Sequence, residues 1–263
     1  MMNKIKSRKF NNILSNKTSG SSELVDLLND HFFNQGFSKS EVKNQITLAQ
    51  KKLGHFQAVT DYLNQLKKRL INKDDFNDYL MNHSETHTTN IKKIFNKIYP
   101  ELKNINSIIT LSRSGTILSM LKLLRQKKKK IKVVICESRP KLEGRTMAAE
   151  LAKSGIETLL ISDAMMSLYV PKVDAAIIGV DLILNNGNVI NKVGSKSLSL
   201  LSKEYGKPFF VVTTKNKFSK KSRFIPKNED PKELINKQIK NLSASNIYFE
   251  EVEKKLITKI YTD

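Results

Sequence analysis

From Ser21 to Ile98, apolar residues recur three and four positions apart with polar residues between them. Leu24, Leu27, Leu28 and Phe32 make one such stripe. Val42, Ile46, Ala49 and Leu53 make the next, followed by Phe56, Val59, Leu63 and Leu66, and by Ile91, Ile94, Phe95 and Ile98. That period predicts amphipathic helices. Ser21 or Ser22 fits the first helix start and Gly36 its stop. Beyond Pro100 the texture changes to short β-branched runs separated by helical stretches, the pattern of strands alternating with crossover helices around a parallel sheet. Strands are expected at 105–110, 131–136, 157–161, 175–179 and 208–212. Helices are expected around Leu118 to Leu124, Met147 to Ala152, Ala164 to Tyr169 and Leu198 to Leu201, with Gly155 and Gly206 as stops.

The predicted fold class is α/β, with an N-terminal helical domain followed by a Rossmann-like parallel-sheet domain. Residues 1–19, polar, basic and without clear periodicity, read as a flexible arm; 20–103 form the helical domain and 104–263 the sheet domain. One cysteine, Cys136, excludes an intrachain disulfide framework. The N-terminus alternates Lys4, Lys6, Arg8 and Lys9 with polar residues, and no apolar run approaches the ~20 residues of a membrane helix. A soluble, cytoplasmic protein without membrane contact is expected.

Forty-six Lys and Arg against 25 Asp and Glu leave a formal charge of +21 and a pI near 9.9. Such a charge attracts nucleic acid or an acidic partner. The cations are scattered over both halves, however, with no aromatic-interleaved basic strand or zinc-ligand spacing. This argues against direct, specific nucleic-acid recognition and for a basic surface that steers an acidic partner. The run from Lys127 to Lys130 precedes a predicted strand and reads as a solvated turn.

Ligands of open parallel sheets bind outside the carboxyl ends of the strands. Ser112 to Thr116, Glu137 to Arg145, Ser162-Asp163, Val180-Asp181 and Thr213 to Lys217 all follow predicted strands. In the first group an apolar strand stops in Ser112-Arg113-Ser114-Gly115-Thr116 and a helix follows. The unpaired N–H groups of Ser114, Gly115 and Thr116 would hold an anion at the positive end of the helix dipole. Asp181, at the end of an apolar strand, suits proton transfer or caps a turn. Arg139, in a turn with Pro140, offers a fork for phosphate or a salt bridge to Glu137 or Glu143. Asn191 and Lys192, just past the Asn185-Asn186-Gly187 turn, reach toward a sugar phosphate or belong to the general surface. Cys136 reads as a small buried hydrophobe or a reactive thiol. No metal or cofactor is implied. All four histidines lie in the helical half.

Several segments together carry a specific resemblance: Glu137-Ser138-Arg139-Pro140-Lys141-Leu142-Glu143-Gly144, Ser162-Asp163-Ala164, Gly179-Val180-Asp181 and Asn191-Lys192-Val193-Gly194, with Tyr248-Phe249-Glu250-Glu251-Val252 and Leu256-Ile257-Thr258 near the end. The chain resembles the family that joins the α, β and δ regulatory subunits of translation initiation factor 2B to methylthioribose-1-phosphate and ribose-1,5-bisphosphate isomerases. The resemblance implies an aldose–ketose isomerase site with a cysteine and an aspartate as its acid–base pair. Asp181 falls on the aspartate; Ser112 falls on the cysteine. Two arginines that the isomerases use on ligand phosphate are replaced by Ser19 and His55. Ser114, Gly115, Thr116, Arg139, Asn191, Lys192 and Lys217 remain for a phosphorylated sugar or nucleotide. The resemblance therefore implies a non-catalytic initiation factor 2B-like subunit, a homo-oligomer with initiation factor 2 as partner. A working sugar-phosphate isomerase is the alternative.

Overall fold

The computed structural model describes the chain except residues 1, 17–19, 36, 37, 55, 129 and 238; for residues 2–7, 35, 57 and 84 only the backbone is described. The expected helix stop Gly36, the substituted positions Ser19 and His55, and Lys129 of the lysine run lie outside the described residues. The chain divides into two compact units, Met1–Lys92 and Lys93–Asp263. The division falls inside a helix, earlier than the 103/104 boundary read from the sequence.

The first unit is helical: α1 (Met2–Leu14), α2 (Ser21–Gln35), α3 (Lys39–Leu53), α4 (Gln57–Arg69) and the larger part of α5 (Lys73–Leu102). The apolar stripes become its core, with Leu24, Leu28, Phe32, Val42, Ile46, Leu53, Val59, Leu63 and Leu66 packed together. Ser38 caps α3 by accepting the Glu41 N–H. At α2 the helix begins on Ser21 itself, with the Gly20 carbonyl accepting the Leu24 N–H. The expectation of an arm over residues 1–19 is corrected in part. Met2–Leu14 is helix, and Phe10 and Ile13 are buried in the same core. With Lys and Asn filling most positions between its apolar residues, this helix shows too faint a period to read.

The second unit is an α/β sheet domain. Its strands are β1 (Ser107–Leu111), β2 (Lys132–Cys136), β3 (Glu157–Ile161), β4 (Ala175–Ile178), β5 (Leu182–Ile183), β6 (Val189–Lys192), β7 (Phe209–Val212), β8 (Phe249–Val252) and β9 (Lys259–Tyr261). Six of them form a parallel sheet in the order β3-β2-β1-β4-β7-β9. All five expected strands are present, with small shifts at their ends. Because side chains alternate along a strand, Ile108, Val133, Ile135 and Ile177 face one core with α6 (Gly115–Lys127), α7 (Glu143–Lys153) and the last turns of α5. Ile109, Val134, Cys136 and Ile178 face the other, with α8 (Met166–Tyr169) and α9 (Ser195–Glu204). Burial on both faces explains why these strands read as continuous apolar runs.

The smaller strands β5, β6 and β8 pair antiparallel in a second sheet. Gly187, at φ +83°, makes the turn of the β5–β6 hairpin. At the amino ends of the main strands, Lys128 donates to the Ile105 carbonyl at 2.5 Å, which places this end of the lysine run on the rim opposite the candidate site. Among the described residues no helix is long and apolar enough to cross a membrane.

Candidate functional site

The order β2-β1-β4 puts a change of winding direction between β1 and β4, where open α/β sheets leave a crevice beyond the carboxyl ends. The loop after β1 lies on one side of it and Gly179-Val180-Asp181 on the other. The two approach closely: a Cβ added at Gly179 would stand 2.5 Å from Ser114 Oγ. Glycine is needed at 179 for that reason.

Ser112 leaves β1 in the left-handed region at φ +61°, as do Ser138 (+63°) and Leu142 (+62°) in the loop after β2. Non-glycine residues held there store strain. Hydrogen bonds hold them: the Ser112 N–H donates to Ser138 Oγ at 2.6 Å, and Ser138 Oγ donates to the Cys136 carbonyl at 3.1 Å. Asp163, just past β3, accepts the Ser138 N–H at 2.8 Å and the Arg139 N–H at 2.7 Å. Three strand ends are thus tied into one frame. The sequence placed Ser138 and Asp163 on this rim but assigned neither a role.

Beyond the frame, Ser114 caps α6 by accepting the Ile117 N–H. Open space surrounds the position a Gly115 side chain would take, and Thr116 is buried. Arg113 points away into a two-pronged pair with Glu150, at 2.9 and 2.7 Å. Arg139 is exposed, and its guanidinium has no ion-pair partner among the described residues. Both glutamates proposed for it are engaged elsewhere: Glu137 with Arg145 at 2.6 Å and Glu143 with Lys192 at 2.8 Å. Of its two readings, the salt bridge to those acids is not formed.

Lys192 is not a surface lysine. It is 4% exposed, with its ammonium 4.8 Å from the centre of the Tyr248 ring. Lys141 lies 4.9 Å from the same ring and pairs with Glu233, which also accepts the Tyr248 hydroxyl. Burial pushes the Glu143 carboxyl above its ordinary range, against the pull of Lys192 and Lys141. One of its oxygens, Oε2, is buried without a hydrogen-bond partner among the described residues. This cluster joins the loop after β2, the end of β6 and the segment before β8, a set of pairings that spacing along the chain does not signal.

Asn191 donates to Ser195 Oγ at 2.9 Å and is buried. Asp181 is half-buried after β4, its N–H bonded to the Ile190 carbonyl. Lys217 follows β7 and is 3% exposed. Cys136 is fully buried under the sheet, and burial, with Asp163 adding to it, pushes its thiol up to about 12. A thiol so placed stays protonated at neutral pH, so the reading of Cys136 as a buried hydrophobe stands. Among the described residues no cluster of three or more His, Cys, Asp or Glu side chains is placed to hold a metal ion.

Known proteins resemble the chain in both senses. It is 30% identical over 168 residues to the ribose 1,5-bisphosphate isomerase of Archaeoglobus fulgidus, covering 62% of this chain and 54% of that protein. It is 41% identical over 111 residues to a Pyrococcus horikoshii protein named as translation initiation factor eIF-2B subunit 2-like, covering 42% of this chain and 40% of that one. The match thus spans about half the length of these relatives or less. Among solved structures, the tetrameric eIF2B-beta2-delta2 complex from C. thermophilum has a chain that superposes with a TM-score of 0.73 at 16% identity, covering 98% of this chain and 90% of that one. Residues 29–263 match the pattern of the Initiation factor 2 subunit family, and the chain belongs to that family.

Proposed function

We propose that this chain is a non-catalytic, initiation factor 2B-like regulatory subunit of the cytoplasm, acting in translation initiation or its regulation through a receptor for a phosphorylated sugar or mononucleotide. One observation carries the reading. Hydrogen bonds tie the strand ends at the carboxyl rim into one frame and the thiol of Cys136 is buried and protonated, while the resemblance puts Ser112 at the isomerases' cysteine position. A serine hydroxyl needs a neighbouring base to act in proton transfer or attack. Among the described residues every histidine lies in the helical unit.

Binding needs none of that chemistry. The ligand's phosphate lies on the amides of Ser114, Gly115 and Thr116, where open space at Gly115 admits it and the helix dipole favours its charge. Arg139, exposed and without an ion-pair partner among the described residues, swings onto the same phosphate. Asp181 accepts a hydrogen bond from a sugar hydroxyl. Asn191, Lys192 and Lys217, held rigidly by burial, shape the remaining wall. The tetramer formed by the C. thermophilum proteins supports assembly of this chain into oligomers, and its positive charge suits initiation factor 2 as an acidic partner.

Titration calorimetry with ribose 5-phosphate and a nucleoside monophosphate tests the receptor. Saturable binding is expected, weakened about tenfold by Arg139→Ala, the loss of one charge-assisted contact. No heat from either ligand removes the receptor. The identity to an isomerase favours the second reading, turnover of an aldose 1-phosphate. No conversion of ribose 1,5-bisphosphate is expected from the wild type; conversion lost in Asp181→Asn would replace the regulatory reading with the catalytic one.

A further inference from the structure

The helical unit carries an apolar groove of about 650 Å³ where the end of α2, the start of α3, the α4–α5 turn and the opening turns of α5 meet. Its floor belongs to the core: Phe32 and Val42 are buried, with Leu70 and Phe76 half-buried beside them. Its rim does not. Phe33 is 50% exposed, Ile71 85% and Met81 56%. Among the described residues the helical unit exposes one other large apolar side chain, Leu48, and that one lies outside the groove. Single exposed apolar residues are ordinary, but three of these four gathered round one concavity mark a contact surface. Phe and Met are also residue types that such surfaces favour.

Charge selects the occupant. Lys39 and Lys73 line the groove, and among the described residues no acidic side chain does; Asp74 and Asp75, next to Lys73, fall outside its lining. The last turn of α4, which leads to Leu70 and Ile71, adds Lys67 and Lys68. Lys39 donates to the Ile71 carbonyl at 3.2 Å, which holds its charge at the rim. We propose that this groove takes an acidic amphipathic helix of a partner protein, with apolar side chains at i, i+3 or i+4 and i+7 in the cavity and Asp or Glu against Lys39 and Lys73. A second copy of this chain fits worse, because a two-fold contact between like faces gathers the lysines of both copies around one small surface, with a net charge of +21 on each chain. A bilayer surface is flat and does not fill a concavity whose floor is Phe32 and Val42. The groove lies within the helical unit and is independent of the phosphate receptor proposed above.

Fluorescence anisotropy with the full chain and labelled helical peptides of about 16 residues tests this. One peptide carries Leu at i, i+3 and i+7 with Glu between; a second has the same residues in an order that breaks the stripe. At about 0.15 M salt the striped peptide is expected to bind at least about tenfold more tightly than the scrambled one. Ile71→Glu and, separately, Met81→Glu change exposed side chains, which spares the fold, and each is expected to remove that advantage. Leu48→Glu, which adds the same charge outside the groove, is expected to leave it within about threefold. Equal affinity for the two peptides means that net charge alone attracts them and overturns the proposal, as does no binding of either. An advantage that survives both groove variants places the helix elsewhere and overturns it too. Sedimentation velocity of wild type and Ile71→Glu, and flotation with phosphatidylserine vesicles, read the other occupants. Oligomers or vesicle binding lost in Ile71→Glu, without a preference for the striped peptide, would give the groove to a second copy or a lipid surface instead.

Discussion

The Ser138 hydroxyl accepts one N–H and donates to one carbonyl, and it does so from a backbone held at φ +63° with the side chain 1% exposed. Removing it leaves the Ser112 N–H facing a gap where its partner had been, and an unsatisfied buried donor costs more than the net worth of a hydrogen bond. Ser138→Ala is therefore expected to lower unfolding free energy by about 1–3 kcal/mol. Glycine at the same place loses the hydroxyl but accepts the left-handed conformation freely, so Ser138→Gly should be less damaging than Ser138→Ala by several tenths to about 1 kcal/mol. Urea denaturation of the three proteins reads both differences. Equal losses for alanine and glycine would mean that the left-handed geometry stores no strain at this position.

At the opposite rim Asp174, just before β4, accepts the N–H groups of Asn106 and Ser107 at 2.8 and 2.9 Å and the Ser107 hydroxyl at 3.0 Å, which sets the start of β4 against the start of β1. Partial burial works to raise its pKa, but these hydrogen bonds, with Lys207 nearby, outweigh it and hold the carboxyl below its ordinary range. A group whose folded pKa is depressed contributes stability above its unfolded pKa, near ~3.9, and loses it as pH falls through the folded value. The stability gap between wild type and Asp174→Asn should thus be constant from pH 7 to about 5 and shrink below about 4. A gap that persists unchanged at pH 3 would assign it to shape alone. Such a tie between distant segments is what the sequence could not display. The central strands were legible because each is apolar on both faces; β5, β8 and β9 were not, since Phe249-Glu250-Glu251-Val252 is strand only through its pairing with β6. Likewise the rule of carboxyl ends found Glu137, Arg139 and Glu143, and the turn at Asn185-Asn186-Gly187 pointed to Lys192, while their partners depended on the fold. Arg145 takes Glu137 and Lys192 takes Glu143, so among the described residues neither acid is left to Arg139.

A net charge of +21 acts on every association the chain enters, and it acts with opposite sign on the two proposed here. Two copies of the chain repel each other at long range, so a homo-oligomer must form through short-range contacts against that repulsion. An acidic partner such as initiation factor 2 is drawn in by the same field. Salt shortens the reach of both, from about 30 Å at 0.01 M to about 8 Å at 0.15 M. Self-association should therefore tighten as salt is raised from about 0.01 to 0.15 M, while affinity for purified initiation factor 2 falls over the same range. Sedimentation velocity of the chain alone and with that factor measures both trends in one buffer series. Affinity for initiation factor 2 that does not change with salt would show that its contacts do not use the basic surface, and oligomers that dissociate as salt rises would show that complementary charges, rather than short-range packing, hold the copies together.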